Sequence, residues 1–387
     1  MSIIYDRLGI RPLINARGSH TRLGGSIMPQ EVIDAMREAA TAYIVLDELQ
    51  DKASELIARA TGAEAGMVTG GAAAALLLAT AACIAGSDSA KVDQLPDTSG
   101  MKNEVIIHRG HRNGYDHSVR ASGATLVEIG YGHHTIPYQL EAAFSDRTAM
   151  VFYVQAPWAG RGVLSLSETC EIAHRHGVPV LVDAAAMLPP NSNLTRYIAE
   201  GADLVTFSGG KGLHGPQSSG ILAGRADLIA AARRNGSPNH SIGRPAKAAK
   251  EDIVGLMVAI QLYLERDHEA DMAGWRGQAE YMIDRLQGVP AIATALKLDG
   301  DEHLTPRVEI TFDAAAGVNA VELIAALEEG DPRVFLFEPN GPTAKPNSII
   351  IHCHTMQPGE EEVVAEVVRA AILKRLPMHL NRAVVSD

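Results

Sequence analysis

The sequence predicts an α/β protein: a large domain on a mainly parallel seven-stranded sheet, followed by a small C-terminal α/β domain. Between Gly66 and about Gly224, seven short and almost wholly apolar runs alternate with helical patterns. Strands read that way when both faces of a parallel sheet are covered. Beyond residue 240 a long helical stretch leads into three more strand patterns and two helices. A length of 387 residues suits one large and one small domain. The expected division is an N-terminal arm and first helix (1–45), the large domain (46–240), and a linking helix with the small domain (241–387).

The stretch through Gly25, rich in Gly, Arg and Asn, reads as irregular. A helix should start near Pro29 and run past Ala40, with Pro29 and Glu31 suiting its first turn. Leu46–Thr61 carries Leu49, Ala53, Leu56, Ile57 and Ala60 at near-helical spacing. The seven strand candidates are Gly66–Thr69, Glu104–Ile107, Thr125–Ile129, Ala149–Val154, Pro179–Val182, Leu204–Phe207 and Gly220–Ala223. Helical patterns at Ala72–Ala85, Tyr138–Phe144 and Leu166–His176 lie between them. Asn235–His240 reads as a loop, and one long helix is expected from Ala246 to Met282. The C-terminal strand patterns are Arg307–Phe312, Arg333–Phe337 and Ser348–His352, with helices at Ala320–Glu328 and Glu360–Lys374.

Composition narrows the function. A formal charge of −12 without a basic arm speaks against a nucleic-acid partner, which needs clustered Lys and Arg. The longest apolar run, Ala72–Ala85, is 14 residues, too short to span a bilayer. The N-terminus lacks a signal-peptide pattern, and Cys83, Cys170 and Cys353 are far apart, as free thiols of the cytoplasm would be.

In a parallel α/β sheet, functional groups belong at the carboxyl ends of strands. Asp183 ends the run Val178–Val182, and Lys211 follows 28 residues later, after a further strand, amid six glycines from Gly201 to Gly220. Pyridoxal 5'-phosphate (PLP) needs this pair: a lysine to hold its aldehyde and a carboxylate to keep its pyridine nitrogen protonated. The glycine density suggests backbone close to a ligand. The turn Gly70-Gly71, running into Ala72, places free N–H groups at a helix start; it reads as a tight turn or an anion site, and beside Asp183 and Lys211 the anion site is favoured. Ser208 could add a hydroxyl to the same phosphate, and Gln155 a hydrogen bond to the cofactor's 3-hydroxyl.

His111 lies in the polar stretch His108–His117 and could stack its imidazole on the cofactor ring. No metal is expected, since no pair there has a zinc-ligand spacing with a third ligand nearby. His352-Cys-His354 ends a strand, where a structural role is favoured. Arg244, Lys247 and Lys250 open a helix, where the dipole repels cations, so the cluster reads as a solvated face or as a site for an anion, the second favoured. Arg17 and Arg22 in the arm are weaker candidates for the same task.

Taken together, Ile14–Gly25, Gly70-Gly71, Arg109-Gly-His, Val182-Asp183, Ser208–Gln217 and Gly243–Lys247 resemble the fold-type-I PLP enzymes, whose large domain is aspartate aminotransferase-like. Within them the likeness is to the group of selenocysteine synthase and D-glucosaminate-6-phosphate ammonia-lyase. The resemblance implies Lys211 as the Schiff-base lysine, Asp183 as the pyridinium partner, and Gly70, Gly71, Ala72 and Ser208 at the phosphate. It puts Arg244 near the substrate or phosphate, offers Arg109 as a further substrate contact, and implies a homodimer or larger homo-oligomer with sites built across subunits. A tRNA-dependent activity is not expected, because the chain is acidic and begins almost directly at the Ile14 motif. The expected reaction is an α,β-elimination that turns a hydroxylated, anionic amino acid into a 2-oxo acid and ammonia. Racemase, aldolase and aminotransferase chemistry share its first steps; selenium transfer and non-catalytic PLP binding are the remoter alternatives.

Overall fold

The computed structural model describes residues 3–298, 305–313, 317–339 and 345–381. The chain forms two compact units, Ser26–Arg266, and Met1–Gly25 with Asp267–Asp387.

The larger unit is built on seven strands: β1 (Ala65–Thr69), β2 (Glu104–His108), β3 (Thr125–Ile129), β4 (Thr148–Val154), β5 (Val180–Asp183), β6 (Leu204–Ser208) and β7 (Gly220–Gly224). Their order across the sheet is β1-β7-β6-β5-β4-β2-β3. β7 runs antiparallel to both neighbours, and the other neighbouring pairs are parallel. Two apolar layers cover the sheet, one around Leu56, Ile106, Val182 and Phe207 and the other around Leu76, Ile107, Phe152 and Leu222. Every residue of β4 is buried, which is why these strands read as continuous apolar runs. The helix Ala72–Ala85 is apolar all round because it is core. Among the described residues no helix is long and apolar enough to cross a membrane.

The smaller unit has a three-stranded antiparallel sheet ordered Ser348–His352, Arg307–Phe312, Ile292–Lys297. Leu13–Ala16 pairs in parallel with Arg333–Leu336, Leu13 opposite Arg333 and Ala16 opposite Leu336. Val308, Leu323, Ile349 and Val364 are fully buried in its core.

Four expectations change. The unit boundaries fall after Gly25 and Arg266, not at residues 45 and 240. The helix Gln30–Ala39 packs on Lys250–Glu265, so both belong to the large unit. The long helix expected from Ala246 to Met282 is a 3₁₀ turn, Arg244–Ala246, and two helices, Lys250–Glu265 and His268–Arg285. Its break is written at Asp267, whose side chain accepts from the Ala270 N–H at 2.9 Å and caps the second helix. Finally, the arm is not wholly irregular, since it supplies a strand to the small unit.

Candidate active site

The carboxyl ends of β1, β4, β5 and β6 bring the expected residues to one edge of the sheet. Thr69, Gly220 and Ser208 are in register across β1, β7 and β6. A Cβ on Gly220 would lie 2.6 Å from the Gly71 carbonyl carbon and 2.7 Å from the Ala72 nitrogen. Glycine at 220 therefore lets the Gly70–Ala72 turn lie on β7, within two strand spacings of Ser208, roughly 10 Å. Gly71 has φ +99° and caps the helix Ala72–Ala85, so the first N–H groups of a 14-residue helix face this edge. The Thr69 hydroxyl donates to the Gly71 carbonyl at 3.0 Å and fixes the turn.

Asp183 ends β5 and is 7% exposed. Its Oδ1 accepts the Ala185 N–H at 3.0 Å. Burial pushes its carboxyl above the usual aspartate range, and the Ala185 N–H and the Lys211 charge offset part of that. Burial lowers the Lys211 ammonium below its ordinary value while the Asp183 charge supports it. Each group thus senses the other, and both shift toward their neutral forms. Gln155 is buried, and its N–H donates to the Asp183 carbonyl at 2.8 Å, tying the ends of β4 and β5 together.

The glycines around Lys211 have a different cause from the one expected. A Cβ on Gly209 would meet Ser219 Oγ at 2.0 Å, one on Gly210 the Gln217 Cα at 2.4 Å, and one on Gly212 the Leu188 oxygen at 2.3 Å. They pack the lysine turn against the chain's own backbone, with no ligand required.

His111, expected as a stacking ring, is held by close neighbours at the carboxyl end of the sheet. It is fully buried, edge-on to His108 (5.0 Å) and Tyr153 (4.5 Å), with Nδ1 accepting the Val154 N–H at 3.2 Å. Burial, helped by the neighbouring His108, pushes its imidazole down to about 3.

The cations divide. Arg17 lies 3.5 Å from Glu328 within the small unit, and Arg22 is exposed in the turn Thr21–Leu23. Arg109 pairs with Glu128 at 3.3 Å. Lys250 bonds the Ala39 carbonyl and Glu251. Arg244 and Lys247 precede the helix that Lys250 begins, so the helix dipole does not explain them. Both are exposed, and their backbone lies on the glycine turn: a Cβ on Gly70 would come within 2.7 Å of the Ala246 oxygen. One residue the sequence reading passed over is His214, a histidine three residues after Lys211 with a left-handed backbone; nothing in the local sequence marks it.

Residues 13–273 match the family model described as SelA, L-seryl-tRNA selenium transferase. The chain belongs to this family. Proteins similar to it are not uniform in reaction. A 5'-C-glycyluridine monooxygenase-decarboxylase of a Streptomyces species is 35% identical over 340 residues, 86% of this chain and 83% of that protein. D-glucosaminate-6-phosphate ammonia lyase of Salmonella typhimurium is 33% identical over 338 residues, 86% of this chain and 88% of that protein. The L-seryl-tRNA(Sec) selenium transferase of Desulfovibrio desulfuricans is 30% identical, but the chain spans only 56% of its length. Among solved structures, a D-glucosaminate-6-phosphate ammonia-lyase superposes with TM-score 0.84 at 30% identity, over 97% of this chain and 99% of that one. A serine palmitoyltransferase, TM-score 0.60 at 14% identity, shares the fold alone. The α/β fold with a mostly parallel central sheet is that of fold-type-I PLP enzymes, and the family implies PLP as cofactor.

Proposed function

We propose that the chain is a PLP-dependent lyase that removes ammonia from a hydroxylated, anionic amino acid, working in the cytoplasm as a homodimer or larger homo-oligomer. The observation that carries this reading is the buried Asp183 ending β5 and the half-buried Lys211 in the turn after the neighbouring β6, each in the other's field. These residues fit the cofactor: Lys211 would hold its aldehyde, Asp183 would face its ring nitrogen, and the Gly70–Ala72 turn with Ser208 would take its phosphate. The cradle opened by Gly220 is the structural support for the phosphate.

When bound, PLP supplies a ring that takes up the electrons released when a bond at the substrate Cα breaks. The protein's part is to place and move protons. Lys211 Nζ, with its pKa lowered by burial, is uncharged more often than a surface lysine and can take the Cα proton. Asp183 holds a negative charge where a positive ring nitrogen would sit, so its own burial is compensated on binding. In the net reaction a β-hydroxyl leaves as water, water returns at Cα, and a 2-oxo acid and ammonia are formed without an oxidant. Similarity to the ammonia lyase over most of both chains supports elimination.

The equally similar monooxygenase-decarboxylase supports a second reading, an oxygen-consuming loss of the substrate carboxylate, which the sequence reading did not raise. One experiment separates them. The loaded protein is treated with borohydride and mapped, and ammonia release from hydroxylated and sugar-derived amino acids is followed under air and under argon. The expected result is a pyridoxyl label on Lys211 and equal ammonia release in both atmospheres. A label elsewhere removes the assignment of the lysine; turnover only under air, with carbon dioxide released, replaces elimination by the oxidative reading.

Self-association has a surface to support it. Tyr43, Ile44 and Val45 are 103%, 51% and 57% exposed in sequence, an apolar run that a solitary chain would leave in water.

A further inference from the structure

The turn that carries Lys211 contains a residue that breaks a local rule. His214 has φ +57°, in the left-handed region where a side chain crowds the backbone and glycine is the usual occupant. Among the described residues of the large unit it is the one non-glycine residue there. Closure of the turn forces the conformation: the His214 N–H donates to the Lys211 carbonyl at 3.0 Å and the Gly215 N–H to the Gly209 carbonyl at 2.8 Å. Glycine would meet that backbone demand with less strain, so the imidazole needs another reason to be at 214.

Its contact supplies one. His214 Nδ1 lies 3.2 Å from the Ile27 carbonyl oxygen. A carbonyl only accepts, so Nδ1 carries the proton, and in the neutral ring Nε2 carries the lone pair. Ile27 is the second residue of the large unit, just after Gly24 and Gly25 at φ +90° and +78°, where the chain arrives from the small unit. The hydrogen bond therefore ties an arriving segment, 187 residues distant in sequence, to the turn of Lys211.

We propose that His214 is a positioning residue of the lysine site, anchoring segment 26–28 on the turn and so fixing where the Lys211 amine stands. The proposal rests on the reading of Lys211 as the lysine that holds the cofactor. The cofactor-free protein is compared with His214→Gly and His214→Asn. Glycine suits the left-handed backbone and removes the imidazole; asparagine tolerates the same backbone and brings an amide donor.

His214→Gly should keep a thermal midpoint no lower than the parent's, while the backbone order parameters of residues 26–28 fall from about 0.85 toward about 0.6 as the tie to the Ile27 carbonyl is lost. After loading with PLP, the pH midpoint of its visible absorbance should move by about half a unit. His214→Asn should recover part of both changes. Unchanged order parameters at 26–28 overturn the proposal. So do lowered order parameters with an unmoved absorbance midpoint, because His214 is then a tie without influence on the site. A borohydride label away from Lys211 sinks the reading of the lysine, a failure kept distinct because the order parameters are measured without cofactor.

Discussion

Two aspartates stand at opposite ends of the central sheet with the same burial, Asp183 at 7% and Asp203 at 6% exposed. Asp203 sits just before β6, at the amino end. It accepts the Val180 N–H at 2.8 Å and Arg225 Nη1 at 3.1 Å, and meets His174 Nε2 at 2.8 Å. Its lone pairs are used to hold the starts of β5 and β6 and the residue after β7. Asp183, at the carboxyl end, bonds the Ala185 N–H, and its charge is balanced by a lysine that is itself held toward neutrality. Burial alone does not mark a functional acid. The mark is burial whose compensation is incomplete until something else arrives.

Exchanging each acid should separate stability from rate. Asp203→Ala should cost about 2–3 kcal/mol of stability by chemical denaturation, less than a fully buried pair because Arg225 also reaches Asp227. Turnover per folded molecule should stay near the parent's. Asp183→Asn should leave stability within about 1 kcal/mol, since the amide fills the space without a charge to desolvate. Its turnover should fall on the order of a hundredfold or more. Near-normal kcat in Asp183→Asn, or an unmoved denaturation midpoint in Asp203→Ala, would break the distinction.

The same contrast governs what was legible in the sequence. The seven sheet strands read correctly to within a residue or so because each is an apolar run set by its own burial. Asp183 and Lys211 could be found because each follows such a run by a fixed step. Leu13–Ala16 could not, being four residues in a polar arm whose partner strand begins at Arg333. The strand Ile292–Lys297 was also missed, since it is only half-buried and lacks a continuous apolar signature. His111 and Arg17 were read by residue type; their places are decided by Tyr153 and Glu328, contacts that only folding creates. The glycines about Lys211 were visible, but their reason lay in residues 188 and 217–219.

Histidines extend the comparison. At the amino end His174 is 46% exposed beside Asp203; at the carboxyl end His108 and His111 are fully buried. Burial pushes His108 down to about 4 and His111 to about 3, from an ordinary value of 6.5. Folded-state values below the unfolded value mean that the unfolded chain binds more protons between them. The stability this pair contributes is therefore complete above about pH 6.5 and is lost as pH falls toward about 4 for His108 and about 3 for His111. The slope should reach up to about 1.4 kcal/mol per pH unit for each histidine. Denaturation of the cofactor-free protein at pH 7.5 and 5 should show the loss, and His111→Phe should flatten it. An equal slope in that variant would mean that other groups carry the acid sensitivity.

Two arginines give the finest version. Arg225 is held by Asp203 and Asp227, while Arg244 is exposed on a turn whose backbone packs on Gly70. An exposed charge contributes little to folding, so Arg244→Ala should change stability by less than about 0.5 kcal/mol. Its value lies in the field it adds beside the glycine turn, worth under about 1 kcal/mol, or roughly fivefold in affinity. If that field serves the cofactor phosphate, the dissociation constant for PLP should rise by about that factor while KM at saturating PLP stays put. If it serves an anionic substrate, KM rises and PLP affinity stays. Either effect should fade near 1 M salt, where the Debye length is about 3 Å. A variant unchanged in PLP affinity, KM and salt dependence would make Arg244 a solvated side chain, and the anion site would then rest on the helix N-terminus and Ser208 alone.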